Sequence, residues 1–306
     1  MRRGLLALVV LIALVLVSTA LAALAEQPVL TGARNHQTPA AGNTGTEDVL
    51  AWARNRSGHP NLFDAWVRVG SSPAIKLNTA GQGYTGGIDY PTVIYQQTRN
   101  GRSNLFLYDL SDGSRPPTPT GVNTVKWEWH PTISGEWLLF GRDDNASPTR
   151  RVILHNMTTS EERVLAAVTR RTRYLVPGQV NGNWATYTRC ARVCNVIRYD
   201  IAARTKKTLG KPATAVPRLQ YGSSVAADGT VYLARSGRTC GSRGVRLVRF
   251  GALDPAIGTV VGRLATGFDL FFSFIRDNAD GSTDVFYDRV RCANGRWDVY
   301  KITDGP

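Results

Sequence analysis

WEWHPTISGEWLLFGRDD, residues 127–144, contains an aromatic and apolar run, a polar turn and a second apolar run. The turn ends in Ser134-Gly135, and glycine readily adopts the positive φ that a tight hairpin needs. The stretch therefore predicts a β-hairpin. A chain built from many copies of this hairpin has a different architecture from a chain with one copy, so its recurrence decides the fold.

The same pattern recurs along the chain at a nearly constant spacing. Six short runs end in a large or aromatic residue, and the ends of successive runs are 43, 45, 47, 46 and 54 residues apart. A period near 45 residues is typical of a four-stranded propeller blade. The six runs are Leu50-Ala51-Trp52, Val93-Ile94-Tyr95, Leu138-Leu139-Phe140, Ala185-Thr186-Tyr187, Val231-Tyr232-Leu233 and Val285-Phe286-Tyr287.

Further apolar runs supply the other strands of each unit, such as residues 105–109 and 196–200, and helical periodicity is absent outside the N-terminal segment. The sixth unit lacks room for a fourth strand before the chain ends. Residues 27–32 resemble residues 262–267, the end of the fifth unit. We therefore predict an all-β fold: a six-bladed β-propeller with four-stranded antiparallel blades, closed by an N-terminal strand from residues 27–32.

The first 25 residues are typical of an export signal. Arg2 and Arg3 precede an uncharged apolar stretch, which ends in Ala23-Leu24-Ala25, a small-x-small cleavage pattern. We predict a signal peptide over residues 1–25 and a single propeller domain over residues 26–306. The protein would then be secreted or lie in the periplasm or cell envelope. The alternative is an uncleaved membrane anchor, because the apolar stretch is long enough to cross a bilayer.

Four cysteines in an exported chain predict two disulfides. Cys190 and Cys194 flank a predicted hairpin turn, so a bridge between them is geometrically reasonable, and Cys240 and Cys292 would then pair. The alternative is a zinc site, but a CxxxC motif without a second close pair fits structural zinc spacing poorly. We predict no metal site and no cofactor.

The formal net charge is +14, and arginine greatly outnumbers lysine. Such a surface can attract anionic lipid, cell-wall polymer or nucleic acid. Without a long basic run, the sequence favours a scattered basic surface and no specific nucleic-acid binding, since the aromatic residues occupy apolar strand positions. We expect a monomer that meets a membrane only if the N-terminal segment is retained.

The repeat resembles that of the TolB-type six-bladed propellers, whose units carry a Ser-Pro-Asp-Gly-like turn. Here the turn is preserved in degenerate form, and the resemblance covers nearly all of the chain after the signal segment. It implies the propeller fold, without the N-terminal α/β domain of TolB. Similar repeats form the lid of prolyl-oligopeptidase-like enzymes, but no α/β-hydrolase domain follows. The degenerate copies are residues 130–135, 226–229 and 278–281.

Candidate binding residues are the polar side chains of the predicted inner strands, which surround the central channel of a propeller. Glu128 and His130 lie at the end of one such strand and would bind a ligand there, although a His-Pro pair can also serve only to shape the turn. We predict no catalytic residue, because the Thr-centred imitation of a nucleophile elbow at residues 83–87 has no following helix. The other channel candidates are Asp89, Arg173, Arg218 and Asp269.

Three functions remain open from the sequence. The first is a non-enzymatic exported scaffold that binds a protein, a peptide or a cell-envelope polymer. The second is a hydrolase or lyase with a small-molecule site in the channel around Glu128 and His130. The third is a basic protein of the wall or membrane surface. A one-sided field of arginines would favour the third, and converging carboxylates with a histidine would favour the second.

Overall fold

The computed structural model describes residues 24–144, 147–169, 174–191, 193–210, 219–236 and 244–305. Within these ranges the regular secondary structure consists of 23 β-strands in six antiparallel sheets. Each sheet is one blade of a six-bladed propeller. The described part of the chain holds no helix with the length and apolar character needed to cross a bilayer.

The first three blades contain strands β2 to β12, each blade beginning with its innermost strand. Blade 1 comprises β2 His36–Asn43, β3 Asp48–Arg56, β4 His59–Val69 and β5 Ile75–Lys76. Blade 2 comprises β6 Gln82–Asp89, β7 Thr92–Arg99 and β8 Arg102–Asp109. Blade 3 comprises β9 Trp127–Ser134, β10 Trp137–Asp143, β11 Thr149–Asn156 and β12 Glu162–Thr169.

The last three blades follow the same order and complete the ring. Blade 4 comprises β13 Tyr174–Asn181, β14 Trp184–Cys190, β15 Cys194–Asp200 and β16 Thr205–Thr208. Blade 5 comprises β17 Leu219–Val225, β18 Val231–Ser236, β19 Arg246–Phe250 and β20 Gly258–Arg263. Blade 6 comprises β21 Phe268–Asp277, β22 Thr283–Arg291, β23 Arg296–Asp304 and β1 Gln27–Leu30.

Strand β1 is the outer strand of blade 6. It pairs antiparallel with β23, with Gln27 opposite Lys301 and Pro28 opposite Tyr300. Just before this strand, Glu26 accepts a hydrogen bond from the Tyr287 hydroxyl (2.6 Å) and forms an ion pair with Arg289 (2.7 Å). The first described residues therefore cover an edge that would otherwise be open to pairing.

Blade 2 departs from the predicted four strands, because only three form its sheet in the described chain. The following segment contains prolines at 116, 117 and 119, which cannot donate to a strand ladder. A side chain replaces the missing backbone partner of Leu105. The Asn123 amide accepts a hydrogen bond from Leu105 N (2.8 Å) and donates one to Leu105 O (2.7 Å).

All six inner strands carry a β-bulge where they pair with the second strand of their blade. A bulge leaves backbone groups unpaired and turns the strand locally. Two of the bulges contain a residue other than glycine with a positive φ, namely Thr38 (49°) and His130 (46°). The bulges lie about one repeat apart, so they meet at one level of the central channel.

Apolar side chains fill the spaces between neighbouring blades. Leu139, Val152 and Leu154 of blade 3, for example, share one buried cluster with Leu175 and Tyr187 of blade 4. Strands of a propeller are covered on both faces by adjacent blades, which explains the continuous apolar runs of the second strands. The packing fixes the blades, and hence the positions of the bulges, around the channel.

Cys190 and Cys194 form a disulfide across the β14–β15 hairpin, as predicted. Cys292 is also disulfide-bonded. Cys240, its predicted partner, lies outside the described residues.

Candidate functional site

The central channel is closed at the level of the bulges. The imidazole of His130 stacks on the ring of Phe272, with centroids 4.5 Å apart and planes at 29°. His130 belongs to blade 3 and Phe272 to blade 6, so the stack spans the channel between opposite blades. We call this stack the waist. The gap left beside it has a volume of only about 40 Å³.

The backbone of blade 3 directs His130 into the channel. Its positive φ turns the side chain away from the sheet, and its N–H donates to Gln96 Oε1 of blade 2 (3.2 Å). The edge of the ring also contacts Trp129, with centroids 5.2 Å apart. Burial, reinforced by the nearby Arg150 guanidinium, lowers the pKa of His130 to about 4. The imidazole is therefore neutral at physiological pH.

On the other side of the waist, Asp288 fixes the bulge that carries Phe272. Its Oδ1 accepts hydrogen bonds from the N–H groups of Phe271 (2.9 Å) and Phe272 (2.8 Å). The Asp288 side chain is completely buried. Burial raises its pKa to about 7, although the two N–H donors favour the charged form.

A cavity of about 300 Å³ lies above the waist, at the end of the channel where the inner strands begin. We call it the mouth cavity. Aromatic rings dominate its walls, and the waist forms its floor. Its polar groups are two amides, three hydroxyls, the ring nitrogens and one ion pair. The lining residues are Gln37, Thr38, Tyr84, Gln96, Trp127, Trp129, His130, Asp143, Arg150, Tyr174 and Phe272.

Arg150 is the centre of the polar wall of the mouth cavity. It makes two hydrogen bonds to the Asp143 carboxylate, from Nε (2.9 Å) and Nη2 (2.8 Å). Its guanidinium also lies 4.7 Å from the ring centroids of Trp129 and Tyr174. Burial alone would lower the pKa of Arg150, but Asp143 outweighs burial and raises it. The pair thus holds two aromatic walls in place.

Glu128 is not part of this cavity. Its side chain is completely buried, and its Oε1 accepts hydrogen bonds from Thr124 (2.6 Å) and Arg142 (3.2 Å). Burial raises the pKa of Glu128, with Thr124 and Arg142 opposing the shift. The structure therefore separates Glu128 from His130, because the bulge at His130 interrupts the alternation that would otherwise place both side chains on one side of the strand.

The other predicted channel residues lie apart from each other. Asp89 ends β6 at the opposite end of the channel, where its carboxylate accepts a hydrogen bond from Gly135 N. Asp269 lies near the start of β21, and the Tyr221 hydroxyl donates to it. Arg173 and Arg218 lie outside the described residues. Within the described ranges, no three His, Cys, Asp or Glu side chains are grouped so that they could hold a metal ion.

Arginines are concentrated on the face that contains the mouth cavity. In each blade the end of the second strand, the start of the third strand and the start of the inner strand lie at this face. Seven exposed arginines lie in or beside these segments, and we call this surface the arginine face. They are Arg34, Arg99, Arg102, Arg189, Arg246, Arg263 and Arg291.

The opposite surface, which we call the acidic face, carries the hairpins between the first and second strands. The turns 44–47, 90–91, 135–136, 182–183, 226–230 and 278–282 contain no lysine or arginine. Eight exposed carboxylates lie in these turns or in adjacent segments at this face, where the adjacent segments also carry the exposed Arg115 and Arg204. The exposed arginines are therefore more numerous on the arginine face and not evenly scattered as the sequence had suggested. The eight are Glu47, Asp48, Asp112, Glu136, Asp228, Asp254, Asp277 and Asp280.

Sequence reasoning missed Phe272, Arg150 and Tyr174. His130 is the first residue of its bulge and Phe272 the second residue of the bulge three blades away, so an alignment of the six inner strands on His130 would have indicated Phe271, the neighbour of Phe272. Arg150 and Tyr174 begin their strands at the same end as Trp127. The repeat alone predicts that these strand starts lie at the same end of the propeller. The contact between the Arg150 guanidinium and the Tyr174 ring depends on how blade 3 packs against blade 4.

Comparisons with known proteins support the architecture. No family model matches the sequence, and a search of curated proteins returns no match. Among solved structures, TolB from Acinetobacter baumannii is 11 % identical, with 88 % of this chain and 80 % of that chain covered and a TM-score of 0.50. The β-propeller domain of the Trilobed protease from Pyrococcus furiosus is 9 % identical, with 88 % and 95 % covered and a TM-score of 0.53.

A protein of unknown function from Dyadobacter fermentans is 13 % identical, with 92 % of this chain and 99 % of that chain covered and a TM-score of 0.55. Likeness at such identities concerns the fold and carries no function. The chain has the fold of a TolB-like six-bladed β-propeller.

Proposed function

We propose that the protein is an exported, non-enzymatic propeller that binds a segment of a protein, a peptide or a cell-envelope polymer in the mouth cavity. The observation that carries this proposal is the shape of the channel. An aromatic cavity of about 300 Å³ opens at one face and ends at the His130–Phe272 waist. A ligand therefore enters from the arginine face and stops at the waist.

The cavity wall suits recognition of a ring or a flat group. Trp127, Tyr84 and Tyr174 offer ring surfaces, and the Tyr174 residue is 52 % exposed. Gln37 and Gln96 add amide donors and acceptors. Binding sites commonly combine such apolar walls with a few polar groups that fix orientation.

The titratable groups of the cavity favour binding over acid–base catalysis. Asp143, the carboxylate of the lining, accepts hydrogen bonds from Arg150 and from Trp129 Nε1 (3.2 Å). His130 has its pKa lowered to about 4, which makes it a weak base near neutral pH. This supports a site in which these side chains shape the walls.

The disulfide between Cys190 and Cys194 supports the exported location, since such bridges persist in oxidising compartments. In this proposal residues 1–25 are the export signal and residues 26–306 form the binding domain.

Site-specific photo-crosslinking tests the proposed function. A benzophenone amino acid replaces Tyr174 at the mouth cavity in one variant. In the matched variant it replaces Tyr90, which is 41 % exposed in the β6–β7 turn on the acidic face. Each protein is expressed with its signal and irradiated in the cell envelope. We expect one discrete adduct at position 174 and none at position 90. Equal labelling at both positions, or none at either, would contradict the proposal.

A further inference from the structure

The exposed arginines of the arginine face have unused binding capacity. Within the described residues, none of the seven forms an ion pair with a carboxylate. More deeply placed arginines differ, because Arg56 pairs with Asp64 and Arg150 with Asp143, both at 2.8 Å. The inner cations thus stabilise the fold. The outer ones have no carboxylate partner among the described residues, although the Arg291 guanidinium lies 5.6 Å from the Phe268 ring centroid, and their N–H groups can bind an anionic partner.

These free arginines are distributed around the face rather than clustered on one blade. Arg102 lies in blade 2, Arg189 in blade 4 and Arg291 in blade 6. Each is beside the hairpin that joins the second and third strands of its blade. The mouth cavity lies between them at the propeller axis. A partner that touches several of them must therefore extend across the face and pass over the cavity.

We propose that the arginine face binds an extended anionic polymer of the cell envelope, whose repeat units carry carboxylate or phosphate groups, and that one unit of this polymer enters the mouth cavity. The inference rests on the proposed binding function and names its ligand class. Charge complementarity carries it. A polyanion meets unpaired guanidinium groups on one face and is repelled by exposed carboxylates on the other, so it binds in one orientation.

The residue type supports this ligand class. In each blade a hairpin joins the second strand to the third. The cations that flank the described hairpins of this kind are all arginine, as in the Arg99–Asn100–Gly101–Arg102 turn. Arginine binds carboxylate and phosphate through two parallel N–H bonds, whereas lysine acts as a point charge. A surface built from arginines is therefore suited to repeated oxyanions with defined geometry.

The distribution of exposed apolar side chains argues against a lipid surface. Leu253 is fully exposed and Ile257 is 72 % exposed, but both lie in the β19–β20 loop at the acidic face. On the described part of the arginine face, the exposed large apolar side chains are Val125 (80 %), Tyr174 (52 %) and Phe271 (43 %), and Phe271 also packs against Tyr221 and Trp297. Interfacial membrane binding needs a larger apolar surface next to the cations.

Two matched triple variants test the inference. Arg102→Gln, Arg189→Gln and Arg291→Gln remove three charges from the arginine face. Arg68→Gln, Arg204→Gln and Lys207→Gln remove three charges elsewhere. Binding of sodium polyphosphate, polygalacturonate and neutral dextran is measured by calorimetry with the mature protein, from about 50 mM to about 200 mM salt. Circular dichroism and thermal melting confirm that both variants remain folded.

We expect the wild-type protein and the control variant to bind one or both anionic polymers and not dextran. The arginine-face variant should bind at least about tenfold more weakly at low salt, with a shallower dependence of affinity on salt, because fewer counterions are released. Equal affinities of the two variants, equal binding of dextran, or no polymer binding would overturn the inference. So would tighter binding to phosphatidylglycerol vesicles or single-stranded DNA than to either polymer.

The crosslinking experiment separates this inference from the proposed function. An adduct at position 174 without polymer binding would leave the binding role intact and remove the polyanion. Polymer binding that depends on the arginine face, without an adduct at position 174, would keep the polyanion and move its site away from the mouth cavity.

Discussion

His130 and Phe272 stack across the channel with their ring centroids 4.5 Å apart, although the two residues come from opposite blades of the ring. Each ring is directed into the channel by a bulge. The backbone N–H of His130 donates to Gln96, and the backbone N–H of Phe272 donates to Asp288. The waist is therefore a product of backbone geometry held by polar side chains. Because burial lowers the pKa of His130 and raises that of Asp288, we expect the stability of the waist to depend on pH.

The first prediction concerns His130→Asn, in which asparagine tolerates the positive φ. The His130 pKa is about 4 in the folded protein and near 6.5 in the unfolded chain. As pH falls from about 6.5 to about 4, the unfolded chain takes up the proton first, so this histidine destabilises the native state there. The variant lacks this effect. The difference in melting temperature, variant minus wild type, should therefore increase as pH falls from about 6.5 to about 4. A difference that does not change with pH would contradict the lowered pKa of His130.

Asp288→Asn should show the opposite dependence. The Asp288 pKa is about 7 in the folded protein and 3.8 in the unfolded chain, so the native state takes up the proton first. This contribution to stability is present below about pH 4 and is lost as pH rises through 7. The variant should therefore become progressively more stable than wild type between about pH 4 and pH 7. Urea unfolding at several pH values measures this, with exposed Asp228→Asn as the control.

Asn123→Ala tests the side chain that replaces the fourth strand of blade 2. The substitution leaves the N–H of fully buried Leu105 without its acceptor, which costs about 1–3 kcal/mol of unfolding free energy. Exposed Thr120→Ala in the same segment should change stability little. Chemical denaturation of both variants is the measurement, and equal stabilities would mean that the segment is held by something other than Asn123.

Gly141→Ala tests the wall of the mouth cavity. A Cβ at position 141 would overlap the indole ring of Trp129, which lies against Arg150. We expect the ring to be displaced, with a loss of about 1–3 kcal/mol in stability and less adduct at position 174. Gly251→Ala, where a Cβ meets open space, is the control. Unchanged tryptophan fluorescence and adduct yield in Gly141→Ala would show that the ring has room to move.

The blades were predictable because each depends on local signals. The glycine turn at Ser134-Gly135 and the run ending at Phe140 recur with a regular period, and each copy specifies a hairpin without reference to the others. Blade 2 could not be predicted in the same way, since its outer segment is held by side-chain hydrogen bonds, from Asn123 and Thr118 to Leu105 and from Arg142 to the backbone at 121–122, rather than by a strand pattern. The prolines of this segment are visible in the sequence, but the sequence does not reveal that Asn123 lies next to the backbone of Leu105.

The site was less predictable than the fold. Glu128 and His130 are two residues apart, so a regular strand would place both side chains on one side. The bulge at His130 breaks this alternation, and its residues share no type with the bulges at Gly86 or Phe272. The arginines were visible, but their assignment to one face required knowing at which end of the blades each hairpin lies.

The pairing of β1 with β23 has a consequence for how the molecule reaches its folded state. Gln27 and Lys301 are partners in one sheet, yet they lie near opposite ends of the chain. The hairpins of the intervening blades involve nearby residues and can form early, whereas this contact requires closure of a very long loop. During synthesis β1 is made first and stays unpaired until β23, the last strand, has been made. Ring closure should therefore be the slow final step of folding.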